Sequence, residues 1–144
     1  TVERLLARVA PARATDALAR LEKLQASAHG LQELGLLSRV RLGTPPLTGP
    51  DAAAAARLVG GTGTGVTERL GLPADAAPAD VAAAAGAELE RWRAKAASPL
   101  ADRPVRDACG VVVRSLEALA SEVAAPTADE PAADVVAAGG PGQG

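Results

Sequence analysis

Apolar residues near the start of the chain recur every three or four positions, the spacing of a helix with one buried face. Residues 2–9 predict a short helix that Pro11 interrupts, because proline lacks the N–H that an interior helical turn requires. A second helix is then predicted to end at His29 and Gly30, since glycine commonly follows the last helical residue. Its apolar face consists of Ala14, Leu18, Leu21, Leu24 and Ala28.

Glycine and proline divide the next part of the chain. A short helix from Leu31 is predicted to stop at Gly43, and residues 43–50 have the composition of a loop. Asp51 is placed to cap a short alanine helix that runs to about residue 59. The glycine-rich run 60–65 predicts a turn or a hinge-like flexible joint.

The clearest amphipathic patterns lie in the second half of the chain. A short helix over residues 66–72 precedes a longer one that begins near Asp80 and is ended by Ser98–Pro99. The apolar stripe of that longer helix is Val81, Ala85, Leu89, Trp92 and Ala96. The last helix, about Pro104–Ala124, has a heptad-like seam suited to packing against another helix. The seam consists of Val105, Cys109, Val112, Leu116, Leu119 and Val123.

Together these elements predict an all-α fold, a helical bundle of five to six helices over residues 1–125. Beyond Pro126 the chain is rich in proline, alanine and glycine and has few large apolar residues, which predicts a disordered acidic tail over residues 126–144. The helical pattern begins immediately at Thr1, so we expect either a removed initiator methionine or a fragment cut within a helix.

Composition and charge exclude several classes of function. The 15 basic and 17 acidic residues leave a net charge of −2 without a basic stripe, and Trp92 is the sole aromatic residue, so no nucleic-acid partner is expected. A single cysteine cannot form an internal disulfide, and no apolar run approaches the roughly 20 residues of a membrane-spanning helix. The expected compartment is the cytoplasm.

Few residues have the spacing of a reactive site. Gly60 and Gly65 are separated like the glycines of a phosphate-binding P-loop, but Val66 and Thr67 stand where that motif requires lysine and then serine or threonine. His29, the only histidine, is expected to interact with the carbonyl groups at the end of its helix. Cys109 is expected to be a small buried hydrophobe. The sequence therefore predicts no catalytic residue, no metal site and no cofactor.

Charged residues on the predicted helices have simpler roles. Four aspartates near helix starts are expected to favour the positive end of the helix dipole rather than to form an acid–base pair: Asp75, Asp80, Asp102 and Asp107. Two ion pairs are expected on the solvated side of the helix after Asp80: Glu88 with Arg91, and Glu90 with Arg93.

Four stretches of the chain resemble the C-terminal helical region of bacterial dynamin-like GTPases: Thr67–Pro73, Glu88–Arg93, Ser98–Asp102 and Val111–Glu117. In that family a G domain hydrolyses GTP, and the helices beside it form a stalk-like part that mediates assembly and, in several members, membrane contact. The resemblance implies a helical partner for this chain, either the G domain, which is absent here, or a second copy. Peripheral attachment to a membrane surface is a further implication.

A second resemblance concerns Glu68–Leu72, the loop through Asp75–Pro78 and the helix that follows, which are similar to the opening of a J domain. The His-Pro-Asp triplet of that family has no counterpart, because the only histidine is His29. The alternatives are therefore an independent small protein with a J-domain-like helix-loop-helix, or a small nucleotide- or ligand-binding protein that uses the Gly60–Gly65 loop.

The leading hypothesis is a non-catalytic helical interaction and assembly module, the C-terminal part of a dynamin-like GTPase. The chain itself is not expected to be an enzyme. The residues expected to make partner or interhelix contacts are Leu89, Trp92, Val105, Val112, Leu116 and Leu119.

Overall fold

The computed structural model describes the backbone of residues 2–125 and the side chains of residues 13–125. Within residues 2–125 it contains five α-helices and no β-strand, which confirms the predicted all-α bundle. The helices are α1 (Val2–Arg41), α2 (Gly49–Leu58), α3 (Val66–Leu70), α4 (Pro78–Ala96) and α5 (Arg103–Ala124). The predicted disordered tail, residues 126–144, lies outside the described part of the chain.

The first helix is one continuous element of 40 residues where the sequence predicted three. The expected breaks at Pro11 and at His29–Gly30 were wrong. A glycine inside a helix costs only about 1 kcal/mol relative to alanine, and the residues after Gly30 pack on the bundle through Leu36, which is fully buried. Proline removes one helical hydrogen bond at a cost of about 3 kcal/mol, which a helix of this length absorbs because helical hydrogen bonds continue on both sides.

The two short helices differ from the prediction at their ends. Asp51 was expected to cap α2, but this prediction was wrong. The helix begins at Gly49, so Asp51 is its third residue. Its carboxylate binds Lys95 instead. Helix α3 ends at Leu70, because Gly71 has φ = 70° and its left-handed conformation ends the helix before Pro73 is reached.

The two long C-terminal helices follow the sequence pattern closely. Helix α4 begins at Pro78, which places Asp80 in its first turn, and it ends before Ser98–Pro99. Asp102 caps α5, since its Oδ1 accepts a hydrogen bond from the Val105 N–H at 2.9 Å. The two predicted ion pairs on α4 are present, Glu88–Arg91 at 3.4 Å and Glu90–Arg93 at 3.7 Å.

The other two aspartates assigned to helix starts do not cap a helix. Asp107 lies inside α5, where its carboxylate is 3.8 Å from Arg103 one turn earlier. Asp75 lies in the connection between α3 and α4.

The core lies where α4 and α5, which share the largest helix–helix interface, meet α2, α3 and the C-terminal part of α1. Trp92 is its largest fully buried side chain. The seam of α5 faces this core. Among the most buried large residues of the core are Leu36, Leu47, Leu58, Leu70, Val81, Trp92, Val112, Leu116 and Leu119.

Of the part of α1 whose side chains are described, residues 13–41, only the segment from His29 onward packs on the bundle. Residues 13–28 are exposed throughout, and half-buried or buried positions begin at His29. At 1.5 Å per residue, those sixteen exposed residues form about 24 Å of helix that extends beyond the core.

Candidate interaction surface

The six residues predicted for partner or interhelix contact do not form one open surface. Leu89 and Val105 are half-buried against the core. The other four, Trp92, Val112, Leu116 and Leu119, are fully buried within this chain. In this structure all six make contacts between helices of the same chain, so a surface for another molecule must be sought elsewhere.

The indole of Trp92 is held by polar groups on its own helix as well as by the core. Its Nε1 donates a hydrogen bond to Glu88 Oε2 at 3.1 Å, and the Arg91 guanidinium carbon lies 5.6 Å from the ring centroid. A buried tryptophan requires a partner for its N–H, and Glu88 supplies it. The ring is therefore fixed in orientation and is not available to a ligand.

An ion-pair cluster fastens α2 to α4. Lys95 Nζ donates to Asp51 Oδ2 at 2.5 Å, and Arg91 Nη2 donates to Asp51 Oδ1 at 2.8 Å. The Lys95 hydrogen bond is the largest cause that lowers the pKa of Asp51 below its usual value, and the positive charges of Lys95 and Arg91 add to it, whereas burial opposes it. Asp51 is thus a negative charge shared by two cations of the neighbouring helix.

A polar cluster joins α1 to α5 where α1 begins to pack on the bundle. His29 Nε2 lies 3.1 Å from Ser115 Oγ and 3.2 Å from Glu33 Oε1, and the Ser115 hydroxyl donates a short hydrogen bond to Glu33. His29 lies inside α1, so the prediction that it interacts with the carbonyl groups at the end of its helix was wrong. Sequence spacing could not reveal the cluster, because His29 and Ser115 are 86 residues apart.

A serine, a histidine and a glutamate in contact raise the question of nucleophilic catalysis. In a catalytic triad the acidic residue binds the imidazole nitrogen that faces away from the serine. Here Glu33 and Ser115 both contact Nε2, and Nδ1 is buried without a hydrogen-bond partner. Ser115 is also only 1% exposed, so a substrate cannot reach its hydroxyl. The geometry is that of a structural cluster between two helices.

Exposed leucines lie along α1, both in the part that projects beyond the core and at the start of the part that packs on it. Leu21, Leu24, Ala28 and Leu31 follow one another at spacings of three, four and three, and we call these four residues the α1 leucine face. The three leucines are 50%, 67% and 70% exposed. Leu18 and Leu34, 60% and 61% exposed, lie at its margins. The sequence pattern included these residues, but their exposure could not be read from it.

The glycine-rich run 60–65 forms the turn between α2 and α3. The Gly65 N–H donates to Glu68 Oε2 at 3.0 Å, so a carboxylate occupies the position beside the loop that a bound phosphate would need. Gly61 is tightly packed, because a Cβ there would lie 2.6 Å from Leu37 Cδ2 and 2.7 Å from the Ala56 carbonyl oxygen. The negative charge of Glu68 makes this loop a poor site for another anion.

Cys109 is fully buried in the core, in agreement with the sequence prediction of a small hydrophobe. Burial is the largest cause that raises the pKa of its thiol. Over residues 13–125 no group of three or more histidine, cysteine or acidic side chains is arranged to hold a metal ion. None of the five described helices is both long and apolar enough to cross a membrane.

Comparison with known proteins finds similarity in part of the chain. No family model and no solved structure matches it. Over 103 residues, which are 71% of this chain, it is 39% identical to the isoniazid-induced protein IniC of Mycobacterium tuberculosis, in the strains CDC 1551 / Oshkosh and ATCC 25618 / H37Rv. The chain spans about a fifth of the length of these curated relatives, because the match covers 20% of each.

Proposed function

We propose that this chain is a non-catalytic helical assembly module that corresponds to the C-terminal part of a dynamin-like GTPase and acts by packing helix against helix. Its contact surface is the α1 leucine face. In the isolated chain the occupant of that face is the same face of a second copy. In a longer polypeptide, another amphipathic helix would take its place.

The observation that carries this proposal is the exposure of Leu21, Leu24 and Leu31 on a helix that extends beyond the core. Most helices in proteins owe their stability to the packing of an apolar face more than to helix propensity. Leucines at heptad spacing bury well against a second helix, and Ala28 between them allows close approach. A helix that covers this face would therefore both stabilise α1 and remove its leucines from water.

Two observations support the proposed correspondence to part of a dynamin-like GTPase. The four stretches that resemble the helical region of dynamin-like GTPases fall on α3, α4, α5 and the connections beside them. The IniC relatives are about five times longer than the region they share with this chain, so the shared region has a large remainder beside it in those proteins.

Sedimentation velocity tests the contact surface. We expect the wild-type chain to associate in a concentration-dependent manner and the double variant Leu24→Glu, Leu31→Glu to be monomeric with unchanged helix content, because both positions are exposed and glutamate is a good helix former. Leu100→Glu is the matched control, since Leu100 is 94% exposed but lies between α4 and α5. A monomeric wild-type chain at high concentration, or equal association of the double variant, would contradict the proposal.

Nucleotide binding at the Gly60–Gly65 loop is the rival function. The hydrogen bond between the Gly65 N–H and the Glu68 carboxylate argues against this function, because it places a negative charge beside the loop. Titration with GTP and ATP while the fluorescence of Trp92 is followed separates the two functions, because this chain has a single tryptophan. We expect no saturable change, and a saturable change that Glu68→Gln strengthens would favour the rival.

A further inference from the structure

A groove of about 440 Å³ lies between α1 and α5, C-terminal to the α1 leucine face along α1. Its rims carry three arginines, Arg39 on α1 and Arg106 and Arg114 on α5. Gly35 on α1 and Gly110 on α5 also line it. The volume lies within the range of small-molecule sites in proteins.

The three arginines are not neutralised by the protein. None of them takes part in an ion pair with another described residue. Arg114 Nη2 donates to the amide oxygen of Gln32 at 2.6 Å, and Arg106 Nη1 donates to the carbonyl oxygen of Ala101 at 2.5 Å, both uncharged acceptors. Each guanidinium has five N–H donors, so most of them remain available.

The single carboxylate that lines the groove does not cancel this charge. Asp107 lies 3.8 Å from Arg103, which is outside the lining, so its charge is partly balanced from the other side. The groove therefore carries an excess of positive charge in a chain whose net charge is −2. An anion drawn to this groove would respond to the local arginines and not to the net charge of the chain, which is negative.

Both glycines leave room in the groove. No atom lies within 4 Å of the position that a Cβ would take at Gly35 or at Gly110. Arg106 and Arg114 are eight residues apart on α5, about 12 Å along the helix axis, and Arg39 belongs to the other wall. Two or three linked phosphates are long enough to contact arginines on both walls and at both positions on α5 at the same time.

We propose that the α1–α5 groove binds a small anion that carries two or more phosphate groups. Arginine recognises phosphate through paired charge-assisted hydrogen bonds, and three guanidinium groups around an open floor are suited to several such contacts. The ligand is either a soluble oligophosphate or a lipid headgroup with more than one phosphate. This proposal goes beyond the assembly function, because it concerns a small anion bound by arginines and not a helix packed on leucines.

Calorimetric titration with inorganic tripolyphosphate in low salt tests the groove. We expect a dissociation constant below about 100 µM and about tenfold weaker binding for each of Arg39→Gln, Arg106→Gln and Arg114→Gln. Arg20→Gln is the control, because it removes the same charge from α1 outside the groove and should leave the affinity unchanged. Gly110→Leu should abolish binding without loss of helix content, since it fills the groove while all arginines stay in place.

A second arm distinguishes the source of the phosphates. The chain is mixed with vesicles of phosphatidylcholine that contain cardiolipin, a lipid with two phosphates, with and without tripolyphosphate as competitor. Tripolyphosphate binding without vesicle binding assigns a soluble ligand. Vesicle binding that the arginine variants weaken, whether or not tripolyphosphate binds alone, assigns a headgroup. Absence of binding in both arms, or binding that the three arginine variants and Gly110→Leu leave unchanged, overturns the proposal.

Discussion

Lys95 Nζ lies 2.5 Å from Asp51 Oδ2, so the last turn of α4 is fastened to the first turn of α2. Asp51 has the position of a residue that favours its own helix dipole, but its carboxylate points to another helix and is shared there with Arg91. An acidic residue at the start of a helix, which the sequence suggests has a local role, therefore links two helices in the folded chain.

This link predicts a pH-dependent part of the stability. The pKa of Asp51 is lower in the folded chain than its ordinary value of 3.8, so the folded state binds fewer protons at this group than the unfolded state does. The stabilisation is therefore present above pH 3.8 and is lost as the pH falls through the folded value. Asp51→Asn should lower the free energy of unfolding by about 1 kcal/mol at pH 7, and urea unfolding should show this difference shrinking as the pH falls further below 3.8.

The control for that experiment is Asp16→Asn. Asp16 also pairs with an arginine, but both side chains of the pair are more than half exposed. Its substitution should leave the stability unchanged at every pH. An effect of Asp51→Asn that stays constant down to pH 2 would contradict the assignment.

Ser115 is predicted to stabilise the packing of α1 on α5. Ser115→Ala would remove the hydroxyl that contacts both His29 and Glu33, which keep their direct contact, so the loss of these hydrogen bonds should cost about 1 kcal/mol. Ser121→Ala is the matched control, because its hydroxyl contacts the carbonyl oxygen four residues earlier on an exposed part of the same helix. Thermal melts followed by circular dichroism should separate the two variants by several degrees.

Gly61 is predicted to be required for tight packing of the turn between α2 and α3. Gly61→Ala would place a methyl group against Leu37 and the Ala56 carbonyl oxygen, and overpacking of this kind costs about 1–3 kcal/mol. Gly86→Ala should instead stabilise the chain by up to about 1 kcal/mol, since Gly86 lies inside α4 with open space around it. Equal melting temperatures for the two variants would count against this packing.

Leu116 and Leu31 are predicted to differ sharply although both are leucines on helices. Leu116→Ala should cost about 2–5 kcal/mol in the free energy of unfolding, because the side chain is fully buried. Leu31→Ala should leave the stability of the monomer almost unchanged, since that side chain is 70% exposed. Denaturant unfolding of dilute protein measures both, and a large loss for Leu31→Ala in the monomer would show that α1 is packed differently.

Cys109 is predicted to be unreactive in the folded chain. Its thiol is fully buried, and burial raises its pKa, so little thiolate is present or accessible at neutral pH. A thiol reagent such as Ellman's reagent should label the cysteine slowly in buffer and at once in guanidinium chloride. Rapid labelling of the native chain would mean that α5 is not packed as described.

The periodic spacing of apolar residues predicted much of the fold. The seam of α5 and the stripe of α4 were predictable because an apolar residue every three or four positions defines the buried face of a helix. The break at Ser98–Pro99 and the Asp102 cap followed from local chemistry in the same way. The continuity of α1 and the start of α2 did not follow from it, because Pro11, Gly30 and Asp51 have local preferences that the rest of a helix or a contact with another helix can outweigh.

The sequence by itself determined that the fold is all-α, that Trp92 and the α5 seam belong to the core, and that no nucleotide-binding motif is present. Only the tertiary structure decided which apolar face is covered. The leucines of α1 and those of α5 have the same spacing, but α5 is surrounded by α1, α2 and α4, whereas α1 extends beyond the bundle. The tertiary structure also decided that arginines of α1 and α5 line one groove. The periodicity of the sequence describes the faces of a single helix, whereas the packing of the helices determines which distant residues lie close together.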